Sequence, residues 1–257
     1  MRSLCLKLLL FLCCLVDASL VNAGEKRSGV DVLTIAVASN FFPTMQRLVD
    51  AYSTSSEQNI RLSSGSSGKH VAQIYQGAPF DLFFSADVAR AKKLDDSGHA
   101  LTGSRFTYAI GRLALLSNDE IQVNNPYSVF DSPNLQHVAI ANPRLAPYGV
   151  AAQQTLMSLG RWKGMKSKLV KGENVTQAYQ FVSSGNAQLG LVSYAQVVAI
   201  GDSKQRLNVM LIPQEHHKQI EQQAVVLNDS IEANEFIHFV RSPVAQKIIQ
   251  AHGYQVP

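Results

Sequence analysis

Between Val32 and Leu94 one pattern repeats three times: a short apolar run, then apolar residues at helical spacing. Residues 32–38 (VLTIAVA) read as a buried strand. Phe42, Met45, Leu48, Val49 and Tyr52 then recur with helical period, and Pro43 suits a first turn. A second strand is expected over 60–64 and a second helix on Val71, Ile74 and Tyr75, ending at Gly77. The third strand falls on 81–85 (DLFFS) and the third helix on 86–94. Such a βαβαβα order demands a parallel sheet covered on both faces.

A second α/β set follows. A long strand at 108–117 (YAIGRLALLS), interrupted by Gly111, leads to a strand at 138–141, helices at 150–160 and 175–184, and a strand at 189–193. Another long strand at 220–227 (IEQQAVVL) then precedes two helices built on Phe236, Ile237 and Val240 and on Ile248 and Ile249. Two α/β sets joined by two extended crossings imply two hinged lobes. The expected division puts residues 32–110 and about 222–257 in the first lobe and about 111–221 in the second.

The first 23 residues are expected to lie outside this fold. Arg2 and Lys7 precede a short apolar run at 8–16, and Val21-Asn22-Ala23 offers a cleavage site before Gly24. That is the pattern of a secretory signal peptide, with 24–31 as a polar leader. A lipoprotein signal is the alternative for Cys13 and Cys14, against which Phe11 and Leu12 are bulky. All three cysteines (Cys5, Cys13, Cys14) fall in the removed segment, which excludes disulfides and thiolate chemistry from the remainder. Losing Arg2, Lys7 and Asp17 takes the net charge from +4 to +3, with no basic block, so nucleic acid is not an expected partner.

Chemistry concentrates at four expected helix starts: Ser39-Asn40, Ser67-Gly68, Pro147-Tyr148-Gly149 and Asn174-Val175-Thr176. Helix starts leave backbone N–H groups unpaired at the positive end of the dipole. The run at 63–70 (SSGSSGKH) is not a P-loop, since Ser63 and His70 stand where that motif needs Gly and Ser/Thr. Converging neutral donors without a counter-charge suit a small, fully ionised oxyanion. Phosphate keeps a proton near neutral pH and asks for an acceptor, which none of the four starts supplies, although Glu173 sits beside Asn174. Molybdate, tungstate or sulfate is favoured. Ser39 and Ser67 also suit ordinary N-caps, and Lys69 reads as a solvated charge.

At these residues the chain becomes recognisable. "VASNF" (37–41), "SSGSSGKHVAQIYQGAPFDLFFSAD" (63–87), "SRFTYAIGRL" (104–113), "ANPRLAPYG" (141–149) and "SSGNAQLGLVSYAQV" (183–197) closely resemble periplasmic molybdate-binding proteins of ABC transporters. The resemblance runs from about 33 to 257. It implies a type II periplasmic-binding-protein-like fold, each lobe a mainly parallel sheet flanked by helices, with a ligand cleft between lobes. It implies molybdate or tungstate as ligand, held by Ser39, Asn40, Ser67, Tyr148 and Val175. Ser39 and Ser67 would each give O–H and backbone N–H; Tyr148 and Val175 would act through backbone N–H. Molybdenum would be bound only as the oxyanion, with no cofactor and no catalytic residue. A membrane permease is the implied partner, the periplasm the location and a monomer the expected state. Some members of the family place a tyrosine hydroxyl on the ligand from the 189–194 region. Ser193 aligns there, with Tyr194 one step along, and both stay outside the expected set.

Two rivals remain. One is a binding protein of the same fold for sulfate or another small anion; a carboxylate binder would need an arginine, and Arg112 and Arg144 are expected outside the cleft. The other is a secreted serine hydrolase, against which Lys69 occupies the last glycine position of G-x-S-x-G. Glu215-His216-His217 lacks the spacing of a helical metal site. The sequons at Asn174 and Asn228 read as chance.

Overall fold

The computed structural model describes residues 32–118, 125, 128–200 and 207–257. The expected signal segment 1–23, with its cysteines, and the leader 24–31 lie outside the described residues. Among the described residues, no helix is long and apolar enough to cross a membrane.

In chain order the elements begin β1 (Leu33–Ala38), α1 (Phe42–Tyr52), β2 (Ile60–Gly65), α2 (Ser67–Tyr75), β3 (Leu82–Ser85), α3 (Val88–Asp96) and β4 (Phe106–Gly111). The second set is β5 (Leu113–Ser117), β6 (Val138–Ala141), α4 (Pro147–Ser158), α5 (Trp162–Met165), β7 (Leu169–Gly172), α6 (Val175–Ser183), β8 (Leu189–Ser193), α7 (Tyr194–Ile200) and β9 (Asn208–Leu211). The chain then returns through β10 (Ile220–Val226), α8 (Ile231–Val240) and α9 (Pro243–Ala251). Two five-stranded sheets result, ordered β2-β1-β3-β10-β4 and β7-β6-β8-β5-β9. In the first, β1 runs parallel to β2 and β3, and β10 runs antiparallel to β3 and β4. In the second, β6 is parallel to β7 and β8, and β5 is antiparallel to β8 and β9. This is the expected two-lobed α/β architecture.

The period-two alternation of β1 explains the layering. Leu33, Ile35 and Val37 pack with Phe41, Met45 and Leu48 of the α1 region and Phe236 of α8. Ala36 points the other way, into a core with Val71 and Ile74 of α2 and Ala91 and Leu94 of α3. A strand buried on both faces needs the near-continuous apolar run that residues 32–38 present. The second sheet buries Leu113, Leu115, Ile140 and Leu191 with Leu156 and Val182. A few residues cross this division: Ala195 of α7 sits in the first lobe's core, and Ala38, Ala86 and Ile220 pack into the second lobe's.

Several boundaries differ from expectation. The break in the first long strand falls at Arg112; Gly111 still pairs with Ile220 at the end of the β4–β10 ladder. Asp87 caps α3 by accepting from Arg90 N–H, so that helix starts at Val88 rather than 86. Pro147 supplies a fixed φ for a first helical position, and α4 starts there rather than at 150. The short strands β7 and β9 and the helices α5 and α7 have no counterpart in the sequence reading. Both are four-residue edge strands whose side chains are half-buried or exposed apart from Gly172.

Candidate functional site

The C-terminal ends of β1, β2 and β3 face the N-termini of α4 and α6 across one small cavity. From the first lobe it is lined by Ala38, Ser39 and Asn40 after β1, by Gly65, Ser66 and Ser67 after β2, and by Ala86 after β3. The second lobe contributes Ala146, Pro147 and Tyr148 at α4 and Asn174 and Val175 at α6. Its volume is about 10 Å³, against roughly 300–1,000 Å³ for pockets that hold drug-sized molecules. The space suits one compact group. Among the described residues, no charged side chain lines it. All five residues singled out in the sequence (Ser39, Asn40, Ser67, Tyr148, Val175) meet here.

Local structure decides which atom each can offer. Ser39 is not an N-cap; Phe41 holds that position in α1 and makes no side-chain cap. The Ser39 N–H, expected to face a ligand, instead donates to the Gly65 carbonyl at 2.9 Å, because the β1–β2 pairing continues one step past the strand. Its hydroxyl remains for a ligand. Asn40 spends both side-chain protons, on Gln222 Oε1 at 2.8 Å and Tyr254 Oη at 3.0 Å, leaving its backbone N–H. Ser66, not Ser67, caps α2 by accepting from Lys69 N–H at 3.3 Å. Ser67 is therefore the first helical residue, and its N–H has no acceptor within the helix. Its Oγ accepts from Ala86 N–H at 3.0 Å, which turns its own proton away from that contact.

Tyr148 and Val175 lie in the first turns of α4 and α6, where N–H groups are likewise unpaired. Asn174 caps α6 by accepting from Gln177 N–H at 3.1 Å. Among the described residues nothing accepts from the N–H groups of Asn40, Ser67, Tyr148 or Val175. Close packing holds the α4 start in place: a side chain at Gly149 would come within 2.3 Å of the Ala141 carbonyl.

Four contacts tie the two sides together around the cavity. Gly68 N–H donates to the Leu145 carbonyl at 2.9 Å, and Thr176 Oγ1 donates to the Ser39 carbonyl at 3.3 Å. Lys69 Nζ lies 3.3 Å from Glu173 Oε1, with both side chains partly in solvent, and Arg90 Nη2 donates to the Arg144 carbonyl at 3.3 Å. Lys69 and Glu173 thus face each other rather than the cavity. Arg112 and Arg144 lie outside it: Arg112 stacks on the Tyr194 ring at 4.5 Å and donates to the Gly253 carbonyl at 3.3 Å.

Beneath the cavity lies a buried polar cluster that sequence reading missed: Tyr108, Tyr148, Ser193, Gln222 and Tyr254. Tyr148 Oη faces Ser193 Oγ and Gln222 Nε2 without a well-formed bond to either, and burial pushes its phenol well up from the ordinary range. Ser193 and Tyr194 do not line the cavity; Tyr194 begins α7 instead of continuing β8. The one available signal was chemical: Glu221, Gln222 and Gln223 interrupt an apolar strand. His70, the histidine nearest Ser67 in the chain, turns its Nε2–H to the Val37 carbonyl at 3.2 Å, so it does not pair with the serine as a general base. Burial lowers its pKa. Glu215-His216-His217 forms no metal-ligand group; among the described residues none of three or more His, Cys, Asp or Glu exists.

Comparison with known proteins places this geometry in context. Residues 33–255 match the family described as bacterial extracellular solute-binding protein. The molybdate-binding protein ModA of Rhodobacter capsulatus is 39% identical over 222 residues, 85% of this chain and 86% of that one. The periplasmic molybdate-binding protein of Azotobacter vinelandii superposes with a TM-score of 0.81 at 37% identity, covering 88% of this chain and 99% of that one. The sulfate-binding protein SubI of Mycobacterium tuberculosis H37Rv shares the fold alone, with a TM-score of 0.70 at 13% identity over 88% and 86% of the two chains.

Proposed function

Because the chain belongs to the family of bacterial extracellular solute-binding proteins and shares over a third of its aligned residues with molybdate-binding members, we propose that it captures molybdate in the periplasm and delivers it to an ABC transporter permease. The relatives are binding proteins, and no residue is assigned a catalytic role. One observation carries the reading. A compact cavity receives hydroxyl donors from the first lobe, backbone N–H donors from both lobes and, among the described residues, no charged side chain.

The donor set is the Ser39 hydroxyl, the Ser67 hydroxyl and N–H, and the N–H groups of Asn40, Tyr148 and Val175. Each bond to a charged acceptor contributes about 1.5–3 kcal/mol net. Six of them support tight binding after the entropic cost of association. Tungstate, nearly identical in size and charge, is bound alongside molybdate. Sulfate is smaller, and donors spaced for the larger anion do not all reach it. Phosphate carrying a proton meets no carboxylate among the described residues that line the cavity. Capture proceeds by closure of two lobes, 32–111 with 220–257 against 113–219, about the crossings at Arg112 and at 212–219. Export by cleavage near Ala23 and a monomeric state complete the proposal.

Calorimetric titration of the anion-free mature protein with molybdate, tungstate, sulfate and phosphate tests it. The expected result is tight one-to-one binding of the first two, weakened about 10- to 100-fold by Ser39→Ala and by Ser67→Ala. Tight sulfate or phosphate binding, or indifference to all four anions, overturns the assignment.

A further inference from the structure

We infer that Tyr254, in the segment following α9, is a positioning residue for anion capture, its hydroxyl holding the Ser39–Asn40 turn in its donating geometry. This rests on the cavity being the anion site. The turn has few other ties, among them Thr176 Oγ1 to the Ser39 carbonyl at 3.3 Å. Its helix has no side-chain cap, and its own backbone bonds are Ser39 N–H to Gly65, Phe41 N–H to Ala38 at 2.8 Å, and a long 3.4 Å contact from Phe42 N–H to Ser39. Nothing in that set fixes the Asn40 carbonyl. Tyr254 Oη supplies the missing tie twice, donating to the Asn40 carbonyl at 2.8 Å and accepting from Asn40 Nδ2 at 3.0 Å. The other Nδ2 proton goes to Gln222 Oε1, which also receives Tyr108 Oη at 3.1 Å.

Tyr254 is itself rigidly placed. The next residue forms a two-way bridge to β4, with Ile110 N–H to Gln255 O at 2.7 Å and Gln255 N–H to Ile110 O at 3.0 Å. The preceding residue, Gly253, gives its carbonyl to Arg112 at the crossing between the sheets. The ring is 4% exposed and stands edge-on to Phe41 at 5.3 Å. Phenylalanine would satisfy all of that packing, and only the hydroxyl reaches the turn. Burial holds the phenol protonated, so it keeps its donor. The segment thus connects the crossing to the binding turn.

Four proteins decide the point: wild type, Tyr254→Phe, Asn40→Ala and the double variant, each titrated with molybdate by calorimetry and melted without anion. Tyr254→Phe is expected to weaken molybdate binding about tenfold. Asn40→Ala removes the Nδ2–Oη bond but leaves Tyr254 Oη on the residue 40 backbone carbonyl. It therefore weakens binding on its own, and Tyr254→Phe weakens it further in that background, by less than the sum of the two single losses because the Nδ2–Oη bond is shared. Tyr52→Phe, a hydroxyl deletion in the same core, leaves affinity unchanged. A Tyr254→Phe protein with wild-type affinity, or losses that simply add in the double variant, overturns the inference and leaves the site assignment standing. If Tyr254→Phe does not fold, Asn40→Ala with unchanged affinity overturns it equally. Wild-type protein that ignores molybdate overturns the site assignment, and this inference with it.

Discussion

Gly68→Ala separates closure of the lobes from the stability of either one. Gly68 is the second residue of α2, with ordinary helical backbone, so alanine there favours the free helix by up to about 1 kcal/mol. Across the cleft the added Cβ would lie 2.8 Å from the Leu145 oxygen, 3.2 Å from its Cα and 3.3 Å from its carbonyl carbon. These are backbone atoms and cannot rotate away. Reaching an ordinary contact of 3.4 Å requires the lobes to part by about 0.6 Å beside Ser67 and Tyr148. An N–H···O bond stretched from about 2.8 to 3.4 Å has lost most of its strength. One bond to the anion, together with the Gly68–Leu145 bond, is worth about 2.5–4 kcal/mol, or a hundred- to thousandfold in Kd. Calorimetry gives the affinity, and melts with and without molybdate give the stability. The expected result is an anion-free Tm at or above wild type with a much reduced shift on adding molybdate. Affinity within threefold of wild type would refute the reasoning, as would an anion-free Tm lowered by more than about 5 °C, which would place the clash in the free protein.

Four further outcomes follow. Tyr148→Phe removes a buried hydroxyl that has no hydrogen bond, so Tm should rise by about 2–4 °C with molybdate affinity unchanged, the donor being the backbone N–H. Gly111→Ala brings a Cβ to 2.2 Å from that same hydroxyl and should cost about 2–3 kcal/mol in urea denaturation, part of it recovered in the Tyr148→Phe background. His70, His217 and His252 all have pKa values lowered by burial, so the unfolded chain takes protons that the folded one refuses. Their contribution is intact above about pH 6.5 and is lost as pH falls toward the lowered folded values. The urea midpoint should therefore drop between pH 7.5 and 5, and less steeply in His70→Gln. Lys69→Gln removes an exposed pair and should change affinity less than threefold, with no remaining effect in high salt.

Much of the fold was legible because burial leaves a strong local mark. A strand covered on both faces must be nearly continuous in apolar residues, as 33–38 are apart from Thr34, and a helix on one face must repeat at 3.6, as Phe42 to Tyr52 do. Edge strands carry half that mark, which is why β7 and β9 escaped notice. The four helix starts were legible for a similar reason: small and hydroxylated residues directly after apolar runs are local patterns. Which atom each start presents was not. Ser39 N–H is spent on Gly65 through strand pairing, and Ser66 takes the cap that Ser67 could equally have filled.

The sequence alone determined the alternation of strands and helices, two lobes, and five residues grouped at helix starts. Tertiary structure alone decided that β10 returns to sit between β3 and β4, bringing Gln222 beneath Asn40, and that Tyr254 closes on the same turn. Those partners are 182 and 214 residues from Asn40 along the chain. Local periodicity records which face of an element is buried, but not which distant side chain is buried against it. That choice belongs to the packing of the whole chain, where each hydroxyl and amide removed from water must find its partner.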